Sequence, residues 1–224
     1  MATFSESNRI GDVVKREFEP LLNRESIVIA TGAAQNLKVG TVLGRITIGS
    51  ATVAAKAGGN AANTGALTLD ATTPVLAGAA AGVYTVRCIA AASNSGTFRV
   101  EDPAGRFIGE VAVGATFAEQ VKFSIADGSQ DFVVGEGFDI TVAPGTGKYV
   151  LHDNAATDGS QNAAAVLLED ADATAADAPA IALVRGPAVV ADGALIFKAG
   201  ISAQNRAAAI AALAGLGIVA RRTV

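Results

Sequence analysis

The chain holds one cysteine, one histidine, one methionine and no tryptophan among its 224 residues. A lone Cys88 excludes an internal disulfide framework and any multi-cysteine zinc site. A lone His152 leaves no histidine pair for a metal or a proton relay. Aromatic residues make up 5% of the chain, so its cores must be small and packed from Val, Ile, Leu, Phe and Ala. Charge is scarce too, at 17% with a net of −4, which gives no electrostatic footprint for nucleic acid. The longest strongly apolar, uncharged run, Ala207 to Ala220, has 14 residues and two glycines, too short to cross a bilayer. The opening Met1 to Glu6 is polar and lacks the apolar centre of a secretion signal. That predicts a protein made and kept in the cytoplasm, or in something assembled there.

What remains is rich in small residues. Ala supplies 49 positions and Gly 25, and half the chain is apolar. That hydrophobicity, with so little net charge, excludes a disordered chain. The length allows one or two domains.

Composition changes along the chain. Residues 1–25 carry nine charges against Phe4, Ile10, Val13, Val14, Phe18, Leu21 and Leu22. Val14, Phe18 and Leu21 have helical spacing, but Pro20 interrupts it. The segment reads as an arm without a core of its own, ordered only by a partner. Ile27 to Ile29 and Thr41 to Ile48 are β-rich. From Gly49 to Ala66 almost every residue is Gly, Ala, Ser, Thr or Asn, which reads as a linker or long loop. Within residues 67–142, Phe98 and Val100, Val121, Phe123 and Ile125, and Phe138, Ile140 and Val142 alternate with polar neighbours. Each such strand has one buried and one wet face. Turn signals at Asn94-Ser95-Gly96, Asp102-Pro103-Ala104-Gly105 and Asp127-Gly128 separate them, predicting an antiparallel β-sandwich. Pro144 to Gly147 forms a second flexible border. After it come short strands and one well-marked helix, with Ser202 as its cap and Gly215 or Gly217 as its end. Ile210, Leu213 and Leu216 should dock that helix on a sheet.

Nothing in the chain is assembled for catalysis. His152-Asp153 near Ser160 lacks a nucleophile elbow, and a loop histidine beside a turn is the simpler reading. The acidic run Glu169 to Asp177 lacks the glycine and final glutamate of a calcium loop. Gly145-Thr146-Gly147-Lys148 has no Ser or Thr after the lysine, as a phosphate loop requires. Cys88 alternates within a strand and reads as a small buried hydrophobe. No catalytic, cofactor-binding or metal-ligating residue is assigned.

Several motifs are similar to those of the bacteriophage lambda-type head decoration proteins. They are Arg24 to Ile29, Gly40 to Gly44, Asp158 to Gln161, Ala164 to Leu168, and Gln204-Asn205-Arg206 through Val219. The resemblance covers residues 1–49 and 148–224. It implies a structural, non-enzymatic virion protein that needs no cofactor and trimerises at local three-fold positions on an icosahedral capsid. There it would cement the outer surface of the expanded shell, after synthesis in the host cytoplasm. It also implies an N-terminal arm, residues 1–25, that contacts the major capsid protein, with Phe4, Ile10, Val13 and Val14 as candidate contacts.

The expected fold is therefore mainly β. A small β-rich base domain with one C-terminal helix, residues 26–49 and 148–224, would carry an inserted β-sandwich at residues 50–147. The insert resembles the immunoglobulin-like sandwiches grafted onto phage surface proteins. A surface adhesion module, binding carbohydrate or a host protein through that sandwich, is the alternative function. Sugar binding needs aromatic platforms, for which Tyr84 and a few Phe residues are the candidates. No nucleic-acid or membrane partner is expected.

Overall fold

The computed structural model describes residues 7–32, 34–60 and 63–222. The chain divides into two units, one formed by residues up to Ile46 and from Gly147 on, the other by Thr47–Thr146. The first unit begins with a helical turn, α1 (Ile10–Val13), then β1 (Val14–Glu17), a second turn α2 (Pro20–Asn23), β2 (Arg24–Ile29), β3 (Asn36–Leu37) and β4 (Val42–Arg45). The second unit supplies β5 (Ile48–Ala55), β6 (Ala66–Leu69), β7 (Gly82–Ala92) and β8 (Ser95–Glu101). It continues through β9 (Phe107–Ala112), β10 (Thr116–Ala118), β11 (Lys122–Ala126) and β12 (Gly137–Pro144). The first unit then resumes with β13 (Tyr149–Leu151), β14 (Ala163–Leu167), β15 (Ala171–Asp172), β16 (Ala178–Leu183) and β17 (Ala188–Ala191). A 3-10 turn at Asp192–Ala194, the helix α3 (Ala203–Gly215) and β18 (Ile218–Arg221) complete it.

The apolar run Ala163 to Leu168 explains the first unit. Ala165 and Leu167 point into a closed five-stranded barrel, ordered β13-β2-β16-β14-β4, beside Ile27, Ile29, Leu43 and Ala182. Val166 and Leu168 point the other way, into a second core with Val42, Leu183, Val190, Leu213 and Ile218. A strand buried on both faces has no reason to alternate, so its sequence is continuously apolar. The outer core is closed by α3 and by a three-stranded sheet, β1-β17-β18. Ser202 caps α3, its hydroxyl accepting from the Asn205 amide at 3.1 Å. Ala209 and Leu213 carry its buried face, with Ile210 packed partly beside them. Leu216, expected on that face, follows the last helical turn and is 39% exposed. β4 and β13, which flank the second unit in sequence, pair antiparallel, with Arg45 opposite Tyr149 and Leu43 opposite Leu151.

In the second unit, a five-stranded sheet β5-β12-β7-β8-β9 and a three-stranded sheet β10-β11-β6 share one core, and both are antiparallel throughout. The alternating sets Phe98 and Val100, Val121 to Ile125, and Phe138 to Val142 all point inward. Phe132 meets the Phe98 ring edge-on, with centroids 4.8 Å apart. Cys88 is buried in the same core. Tyr84 is buried there too, its hydroxyl donating to Gln120 at 2.8 Å, so it offers no platform to a sugar.

Two expectations need correction. The stretch Gly49 to Ala66 is not a linker throughout, since β5 occupies Ile48–Ala55 in regular register with β12 from Ala51 to Ala55. Small side chains are weak strand formers alone, but a neighbouring ladder supplies the missing stability. The N-terminal segment is likewise ordered without a partner over its described part. β1 pairs antiparallel with β17, and the Asn8 side-chain amide donates to the carbonyl of Ala194 at 2.9 Å. Val13 is fully buried in the outer core, against the prediction that it contacts a partner. It anchors the segment instead, because exposing it would open that core.

Candidate functional site

Just beyond β1 the chain does something costly. Phe18 is 77% exposed, Leu21 94% and Leu22 58%, all within five consecutive residues. Each leucine left in water forgoes about 1.5–3 kcal/mol that burial would give. Clustered exposure of this kind marks an interaction surface rather than ordinary surface scatter.

The loop bearing these side chains is held from several sides. Glu17 and Arg24, at its two ends, form a forked ion pair, with Arg24 Nε donating at 2.9 Å and Nη2 at 2.5 Å to the same Glu17 oxygen. That hydrogen bonding pushes Arg24 above its already high pKa. Pro20 opens the α2 turn, where its ring fits the first helical position and its missing N–H costs nothing. Asn23 is fully buried, and its backbone carbonyl accepts from the Val184 amide at 3.0 Å. Arg185 donates to the Leu22 carbonyl and pairs with Glu25. The buried side chains of Asn23 and Glu17 and the half-exposed Arg185–Glu25 pair brace the loop, while its apolar side chains are left outward. Beside them lies an apolar cleft of about 280 Å³, lined by Arg16, Phe18, Pro187, Ala188, Val189, Gly217 and Val219.

Of the four contact residues expected from sequence, Ile10 is exposed on α1 and Val14 packs partly against the outer core. Val13 is internal, and Phe4 lies outside the described residues. Phe18, Leu21 and Leu22 were visible as apolar residues in a charged segment. Reading Pro20 as a helix breaker concealed that it starts a turn presenting both leucines.

The remaining polar candidates serve the backbone. His152 lies in the loop after β13 beside a turn and is buried there, its Nε2 2.9 Å from the Gln161 carbonyl. Burial pushes its pKa down, outweighing the opposing pull of that carbonyl and of Asp153. Ser160 donates its hydroxyl proton to Asp158 at 2.6 Å, and Asp153 pairs with Lys198, so the three form no relay. In the acidic run, Asp170 accepts from the Val39 amide at 3.0 Å, Asp172 caps Thr174, Asp177 accepts from the Thr31 amide at 2.9 Å, and Glu169 accepts from Ile181 at 2.7 Å. Among the described residues, no three His, Cys, Asp or Glu side chains gather as a metal would require, and no helix is long and apolar enough to cross a membrane.

Residues 3–218 match the family described as bacteriophage lambda head decoration protein D. No curated protein matches the chain. Among solved structures, a crystal structure of Xanthomonas campestris FlgL (space group H3) is 23% identical over 50% of this chain and 38% of its own, with a TM-score of 0.29. A second FlgL crystal structure (space group C2) is 24% identical over 46% of this chain and 31% of its own, also with a TM-score of 0.29. The chain spans well under half of either FlgL chain, and similarity at that score carries no structural argument.

Proposed function

This chain belongs to the bacteriophage lambda head decoration protein family, and from that premise we propose that it cements an icosahedral capsid as a homotrimer on the major capsid protein at local three-fold positions. Family membership itself places it among structural proteins of the phage head. The observation that carries the finer reading is the fastened apolar apex Phe18, Leu21 and Leu22, with Ile10 exposed on the neighbouring turn. A cementing protein needs a surface that is apolar, preformed and ordered before contact, because a rigid contact loses less entropy on binding. Trimerisation then multiplies the contact, since three apices on one particle act at high effective concentration. The second unit, Thr47–Thr146, is proposed as an immunoglobulin-like insert displayed on the capsid's outer surface.

Sedimentation with expanded capsids of the parent phage tests this reading. Replacing Leu21 and Leu22 together by Ser should weaken binding at least about tenfold, the equivalent of about 1.4 kcal/mol, with unfolding unchanged. Undiminished binding would exclude the apex as the contact. The adhesion alternative has one supporting feature, the exposed Phe107 ring with the Arg99 guanidinium over it at 5.2 Å. Sugar binding lost on Phe107→Ala would favour it.

A further inference from the structure

The fold uses only one nitrogen of His152. Its Nε2 faces the Gln161 carbonyl, which can only accept, so Nε2 carries the ring proton. Nδ1 therefore holds a lone pair, and among the described residues nothing donates to it. The side chain is buried, at 2% exposure. A buried acceptor without a donor is costly and rare in a folded chain. Burial also holds the ring neutral at pH 7, since it pushes the pKa below its usual value of about 6.5.

The imidazole borders a recess of about 100 Å³ between α3 and the loop that joins β13 to β14. Asn205, Ala208 and Ala212 form its helical wall, at the spacing that puts them on one face. The two alanines keep the space open, since larger side chains there would fill it. Asn154 and Asn162 come from the loop and are exposed, so the recess opens to solvent. The side chains of Asn154, Asn162 and Asn205 make no hydrogen bond within the described residues. No residue of the lining carries a charge, and the neighbouring Asp153 is paired with Lys198 instead.

We propose that this recess recognises a carboxamide group, as an Asn or Gln side chain or a small free amide presents it. The unpaired groups select that ligand. A carboxamide offers two N–H donors and an oxygen with two lone pairs, enough to engage all four unpaired side chains. One N–H meets Nδ1, and the remaining positions meet the Asn carboxamides, each of which can donate or accept. A hydroxyl, with one donor and two lone pairs, falls one short. An ammonium or carboxylate would lose its water with no opposite charge to receive it, and an alkyl group would leave every polar side chain unpaired. The volume agrees, being the liquid share of about three water molecules and so room for a group of a few heavy atoms. The site does not depend on the capsid reading, and its test is in solution.

The ring nitrogens of His152 give the chain's only imidazole signals in nitrogen NMR, which makes them a direct readout. Probes of about five heavy atoms bind weakly, so each is titrated to about 100 mM against the full chain. Propionamide should move the Nδ1 resonance saturably, while propionate and butanone, the charged and the donor-free analogues of the same size, should not. Ala208→Leu, at an exposed helix position that tolerates Leu, should abolish the shift by filling the recess. Asn162→Ala should weaken binding about fivefold, the loss expected of one hydrogen bond, with unfolding unchanged. A blocked glycyl-glutaminyl-glycine peptide that binds at least as tightly as propionamide assigns the site to a protein side chain, and binding of propionamide alone assigns it to a free amide. No saturable shift with either probe, equal shifts with propionate or butanone, or full binding by the Ala208→Leu variant would each overturn the proposal.

Discussion

Leu21 and Leu213 are the same residue type put to opposite uses. Leu213 is fully buried under α3, and Leu213→Ala should cost about 2–5 kcal/mol through lost transfer energy and the cavity left behind. Leu21→Ser should leave stability within about 0.5 kcal/mol, because the side chain touches little in the free protein. Paired urea denaturation curves measure both. His152 supplies a second residue-scale expectation. Its folded pKa lies below the usual value of about 6.5, so between that value and the folded one the unfolded chain binds more protons. Stability should then fall as pH drops below about 6.5 and level off once the folded pKa is passed. The depressed carboxylates Asp70, Asp102 and Asp177 act in the same direction but at lower pH, below the usual carboxylate value of about 4. His152→Gln should remove the slope just below about pH 6.5 and leave the acid limb in place. A slope unchanged by that substitution would mean that another group titrates there.

Elements were readable where one local rule decided them. Ser202 and the glycines after Gly215 bound α3 because a cap and a stop act through their own few residues. Phe138, Ile140 and Val142 declare β12 because one face is wet. β5 was not readable, since its Gly, Ser and Ala residues become a strand only when β12 supplies the ladder. The α2 turn was missed for a related reason: Pro20 forbids the interior of a helix but favours its start, and only the Glu17–Arg24 pairing decides between them. Hence the candidate surface was legible as composition and not as geometry. Glu17→Gln should loosen the 18–23 loop, raising its amide exchange rates and weakening capsid binding without exposing the barrel core. Unchanged exchange in that loop would show that Pro20, Asn23 and Arg185 suffice to hold it.

At the scale of the whole molecule, β4 and β13 are neighbours in the barrel on either side of the second unit. Replacing residues 47–146 by a short Gly/Ser turn would lower the loop-closure cost by only about 1–3 kcal/mol, since that cost grows with the logarithm of length. The excised first unit should still unfold cooperatively and bind capsids. The second unit, with its own aromatic core, should fold when expressed alone. Loss of both would show the two units to be one cooperative body.

The central claim is that three copies meet at each local three-fold position and press the Phe18–Leu22 apex against the shell. Cryo-electron microscopy of the decorated parent capsid tests it most directly. The account predicts trimeric density on the three-fold positions, with Phe18, Leu21 and Leu22 buried against the major capsid protein and residues 47–146 facing outward. Density away from those positions, or contact made through residues 47–146 with the apex left in solvent, would contradict it.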